Sequence, residues 1–195
     1  MAAGVDGRRI LAACCIAVDF LADDLIALFA RTLGEAHRTR LIAGGEEPLY
    51  RPASQPGGWH EIVFREDWFQ SALHELAHWC VAGPQRRLQP DYGYWYHPDG
   101  RSGAQQARFE AVEARPQAVE WVLTAACGKP FRVSPDNLGS ADPLDEASLW
   151  QAVHREVQRC LDGALPPRAA QLAQALAAHY EQPWPLPRER FRVPR

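Results

Sequence analysis

The sequence predicts an α+β fold dominated by helices, with a small antiparallel sheet and a metal site between two of the helices. Three observations lead there. Apolar residues recur at helical spacing over long stretches, one short stretch alternates like a strand, and two histidines sit one helical turn apart in HELAH, residues 74–78. No internal repeat or linker divides the 195 residues, so a single domain over 1–195 is expected. Residues 1–12 and about 183–195 are expected to be peripheral, mobile tails.

Arg8-Arg9 followed by ILAACCIAV imitates a secretion signal, and Leu11-Ala12-Ala13-Cys14 imitates a lipid-attachment box. Only Ile10 separates the arginines from that box, which leaves no apolar region to insert before it, so the start of a first helix is the expected reading. Leu21, Leu25, Leu28 and Phe29 share a helix face, predicting a helix over 16–33 that Gly34 closes. The Gly- and Pro-dense stretch 41–59 reads as mostly loop. Residues 61–66, EIVFRE, read as a short strand, with a sheet partner expected near 92–96.

A helix over 67–82 carries the histidines, with Asp67 as its N-cap and Gly83-Pro84 as its stop. DYGYWYHPDG, 91–100, is an aromatic segment ending in a turn. A long helix is expected over 104–127, kinked or split by Pro116 and ended by Gly128. A polar loop covers 134–143, helices follow over 144–162 and 167–180, and PWPLPRERFRVPR reads as an extended, loosely held tail.

A net charge of −3 argues against wholesale nucleic-acid binding. No run reaches the length of a membrane span. Five cysteines, an odd number without a CxxC pair, suit a reducing cytoplasm rather than a disulfide framework or a zinc ribbon.

His74 and His78 can bind one divalent cation from consecutive turns, and SALHELAHW contains no Gly or Pro to break that helix. Position 84 is Pro, so no histidine follows at the spacing of one common peptidase class. His97 lies in the aromatic loop. FEAVEARPQAVEW offers carboxylates instead. Glu113 is the expected third ligand, with Glu110 as the alternative ligand or a partner behind the ligands. Glu120 shares the Glu113 face seven residues on, where a solvated role competes strongly.

Two histidines and one carboxylate serve two chemistries. With Zn(II), Glu75 would be the catalytic general base of a hydrolase. With Fe(II), open positions would take O2 and substrate, giving oxidation.

HELAHWCVAG with Arg86-Arg87, DYGYWYHPDGR, FEAVEARPQAVEW and FRVSPDNLGS, preceded by LIAGGEEPLYRPA, closely resemble the bacterial elongation factor P hydroxylase family over about 20–160. The resemblance implies hydroxylation of the lysine of elongation factor P that already carries a β-lysyl group. It also implies a non-haem metal, Fe(II), on His74, His78 and Glu113. Glu75 matches the family motif. His97 stands where members carry cysteine, which argues against an essential ligand there.

A substrate with two ammonium groups calls for carboxylates and aromatic faces. Asp91, Tyr92, Tyr94, Trp95, Tyr96 and Asp99 are the candidates for that lining, and Arg86 and Arg87 are candidates for meeting the partner protein. Neither nucleic acid nor membrane is expected as a partner. The alternatives are a zinc-dependent peptidase and a non-catalytic, metal-containing module that binds a translation factor.

Overall fold

The computed structural model describes residues 19–93, 102–135 and 146–194. The first helix, α1 (Ala22–Phe29), widens into a π-turn at Ala30–Gly34 and runs into a short α2 (Glu35–His37). Leu25, Leu28 and Phe29 are buried, as the periodicity requires. Gly34 does not stop this helix. Its backbone is helical, and a Cβ there would lie 2.8 Å from the carbonyl oxygen of Thr39, so glycine lets the returning chain pass close by. The stop is Arg38, in the left-handed region at φ 45°.

The stretch expected to be loop contains two strands. Thr39–Gly45 forms β1, Leu49–Arg51 forms β2, and His60–Arg65 forms β3 in the centre of a sheet ordered β1-β3-β2. β1 runs parallel to β3, pairing Leu41 with Ile62, whereas β2 runs antiparallel and pairs Tyr50 with Ile62. The sheet is therefore mixed rather than antiparallel. Of the partner expected at 92–96, Tyr92 and Gly93 lie in a 3-10 turn, and 94–96 fall outside the described residues. Glycines hid β1, because Gly44 and Gly45 sit at a register shift where the strand bends away.

The histidine-bearing helix is α3 (Phe69–Val81). Trp68, not Asp67, occupies its N-cap position, and no side chain caps it there. The long helix α4 (Gly103–Ala126) starts at a capping box made by Ser102 and Gln105. It carries Pro116 inside one continuous element instead of being split by it, and Gly128, at φ 76°, follows its end. α5 (Glu146–Arg159) continues into a π-turn through Ala164, and α6 (Pro167–His179) begins with Pro at its first position.

Leu73, Leu76, Ala77 and Trp79 fix α3 in the core, which packs against α4, β3 and α6. A second aromatic group joins α4 to α5. Trp121 meets Phe131 at 5.2 Å, Trp150 at 5.3 Å and Phe191 at 5.6 Å. Phe191 is only 2% exposed, and Arg190 donates to the carbonyl of Ala125 at 3.0 Å. The C-terminal segment is thus packed rather than loosely held as far as these residues. Among the described residues no helix is long and apolar enough to cross a membrane.

Candidate metal centre

α3 and α4 run antiparallel, and the register between them follows from their polar contacts. Gln70 meets Glu120 and Thr124, His74 meets Glu120 and Glu113, and His78 meets Glu113. Moving up α3 means moving down α4. Residues at i and i+4 on one helix therefore face residues at i+7 and i on the other.

Three donor atoms converge in this seam. The Nε2 atoms of His74 and His78 are 3.1 Å apart. The Oε2 of Glu113 lies 3.4 Å from the His78 Nε2 and 3.8 Å from the His74 Nε2. With metal–ligand bonds of about 2.1 Å, two ligands stand roughly 3.0 Å apart at a right angle and roughly 3.4 Å apart at the tetrahedral angle. Two of the observed separations fall within that range and the third is a few tenths of an ångström longer, and His74, His78 and Glu113 are the one group among the described residues whose donors meet this way. The donor set, two imidazoles and a carboxylate, fits a divalent cation.

Behind the donors, the Nδ1 of His74 lies 2.8 Å from the Oε2 of Glu120. A carboxylate only accepts, so Nδ1 carries a hydrogen and Nε2 is the nitrogen a cation would take, displacing any proton held there. The other Glu120 oxygen accepts from Gln70, whose amide also donates to the Thr124 hydroxyl. Burial alone would lower the His74 pKa, but the charge and hydrogen bond of Glu120, then Glu113 and Glu75, raise it to about 10. Glu75 is buried. Burial raises its pKa, His74 and His78 counter this, and Glu113 and Asp91 add to the rise.

Glu113, 2% exposed, takes the place expected of it among the donors. Glu110 does not. Its Oε1 accepts from Gln106 at 3.0 Å, one turn back along α4. Glu120, weighed in the sequence as a solvated residue, is buried and holds His74. Its seven-residue spacing from Glu113 was the available signal.

The expected substrate-lining residues divide. Tyr94, Trp95, Tyr96 and Asp99, and with them His97, lie outside the described residues. Asp91 accepts the Tyr50 backbone N–H at 2.8 Å, and Tyr92 is 4% exposed, stacked on Tyr50. Arg86 donates to the Tyr92 carbonyl and Arg87 to the Ala82 carbonyl. These four side chains make contacts within the fold. Sequence reading also missed Arg168 on α6, which donates to the carbonyls of Trp79, Cys80 and Ala82 at the end of α3. Contacts spanning almost ninety positions of sequence leave no local pattern.

Comparison with known proteins places this arrangement. Residues 28–191 match the family described as elongation factor P hydroxylase. A Haemophilus influenzae protein named elongation factor P lysine hydroxylase is 46% identical over 158 residues, spanning 81% of this chain and 88% of that protein. The matched region takes in both helices of the histidine–glutamate seam, and the chain belongs to the elongation factor P hydroxylase family.

Proposed function

We propose that this protein hydroxylates the lysine of elongation factor P in its β-lysylated form, with O2 as co-substrate and iron(II) held by His74, His78 and Glu113. The observation that carries the reading is the convergence of two Nε2 atoms and one carboxylate oxygen in a chain of this family. Bound there, a redox-active cation would supply the oxygen activation that cleavage of an unactivated C–H bond requires and that no side chain provides.

The chain's own residues do the rest. Glu120 holds the hydrogen of His74 on Nδ1 and so directs Nε2 into the site. His74 keeps 28% of its side chain exposed against 3% for Glu113, so substrate enters over His74. Glu75, Glu113, Glu120 and Asp91 give this seam a negative field suited to a side chain with two ammonium groups. The Glu75 carboxylate accepts no hydrogen bond among the described residues and lies close enough to His74 and His78 to interact with both, and we assign it the acid–base role beside the reacting centre. Buried Cys80, Cys127 and Cys160 are free thiols, in keeping with a cytoplasmic site of action. Neither nucleic acid nor membrane enters this reading.

The test is mass spectrometry of β-lysylated elongation factor P after incubation with iron(II)-loaded protein, reductant and air. Gain of one oxygen on the modified lysine, lost in His74→Ala, is the expected result. An unchanged mass with verified substrate and bound iron would refute the assignment. A shortened substrate would instead identify a peptidase.

A further inference from the structure

The two histidines are held in different ways. His74 has Glu120 behind it, whereas the Nδ1 of His78 has no hydrogen-bond partner among the described residues. A metal-ligating imidazole with nothing on its second nitrogen needs another means of fixing its ring plane. His78 has a parallel ring beside it. The Tyr92 ring lies 6.4 Å away, centroid to centroid, with only 7° between the planes.

Tyr92 reaches that position through a backbone that ordinary residues avoid. Asp91 and Tyr92 are both left-handed, at φ 47° and 59°, and Gly93 follows at φ 69°. Consecutive non-glycine residues in this region persist only where their surroundings hold them. Here the surroundings do so from three sides. The Asp91 carboxylate accepts from the Tyr50 N–H, the Tyr92 N–H donates to the Gln89 carbonyl at 3.1 Å, and Arg86 donates to the Tyr92 carbonyl at 3.1 Å.

The Tyr92 ring also stacks on Tyr50 at 4.2 Å and 18°. Tyr50 is itself fixed, its hydroxyl donating to the Arg87 carbonyl at 2.9 Å and lying 3.0 Å from the His60 Nδ1. Near-parallel rings therefore lead from Tyr50 in the sheet through Tyr92 to His78. The Tyr92 hydroxyl is buried and has no hydrogen-bond partner among the described residues. The aromatic face, not the hydroxyl, is what the strained turn delivers.

We propose that Tyr92 is a positioning residue for His78, and that the left-handed turn at Asp91–Gly93 serves to hold its ring parallel beside the imidazole. The proposal rests on the metal-site reading above and extends it to a residue outside the donor group.

The experiment uses the full chain, stripped of metal, with cobalt(II) and zinc(II) as probes and a chromophoric chelator as competitor. Wild type, His78→Ala, Tyr92→Phe, Tyr92→Leu and Asp91→Ala are compared for dissociation constant, visible cobalt absorption and metal-free melting temperature. Phe keeps the ring and should bind within about twofold of wild type. Leu should bind about tenfold or more weakly, with an altered cobalt spectrum. Asp91→Ala removes no ring but frees the turn, and should weaken binding in the same direction while the metal-free fold survives. Binding by Tyr92→Leu and Asp91→Ala indistinguishable from wild type would overturn the proposal, and so would a loss in Tyr92→Phe equal to that in Tyr92→Leu. Failure of wild type itself to bind either ion would instead sink the metal-site reading beneath it.

Discussion

The Nδ1 of His74 and the Oε2 of Glu120 lie 2.8 Å apart across the seam between α3 and α4, a contact that sets which histidine nitrogen faces the other two donors. Removing it should act on metal affinity more than on the fold. Glu120→Ala should weaken binding of a divalent cation by about 10–100-fold, the usual cost of losing such a partner. Glu120→Gln keeps an acceptor for Nδ1–H and should fall in between. Titration of the metal-free variants against a chelator checks the order.

Glu113 sits closer to the centre of the account. Glu113→Ala deletes one of the three donors and leaves two histidines from one helix to hold an ion alone. Cation binding and lysine hydroxylation should vanish together. Glu110→Ala, one turn away and bonded to Gln106, should retain both. A reversed outcome for these two substitutions would move the third ligand to Glu110.

How much of this was legible in the sequence depends on how local each signal is. HELAH and the face carrying Glu113 and Glu120 are periodic within single helices, so the seam could be read before any fold was known. The parallel pairing of β1 with β3 could not, since its partners are about twenty positions apart and Gly44 and Gly45 break the strand's alternation. DYGYWY looked like a substrate wall because aromatics and acids fit a cationic ligand. Asp91 and Tyr92 also engage Tyr50 and lie beside His78, relationships that only the folded chain brings about.

Arg168 should matter to α3 without touching a donor atom. Its guanidinium stacks 4.3 Å over the Trp79 ring and serves three carbonyls at the negative end of the helix. Arg168→Leu leaves buried carbonyls without that donor and should cost about 1.5–3 kcal/mol of stability. Arg168→Lys keeps the charge but not the fork and should recover only part. Denaturant unfolding measures both.

The C-terminal segment offers a simpler test of packing. Phe191 is buried against Trp121, and Phe191→Ala should destabilise the protein by about 3–5 kcal/mol. A melting temperature unchanged by this substitution would return the segment to the loose tail that its Pro- and Arg-rich composition suggests.

Thiol chemistry gives a pH-dependent prediction. Burial pushes the Cys80 and Cys127 thiols up to about 12 and raises Cys160 as well. A raised thiol pKa means less thiolate, the reactive form, at any pH below it. All three should therefore resist alkylation at pH 8 in the folded protein and react on unfolding. Peptide mapping after a timed pulse of reagent reads each site.

The most direct test of the account follows the oxygen itself. β-Lysylated elongation factor P is incubated with the iron(II)-loaded protein and reductant under 18O2 in ordinary water, and the modified peptide is weighed. The account predicts one heavy oxygen on the modified lysine, absent when Glu113 is replaced by alanine. No added oxygen, or an oxygen drawn from water instead of O2, would contradict it.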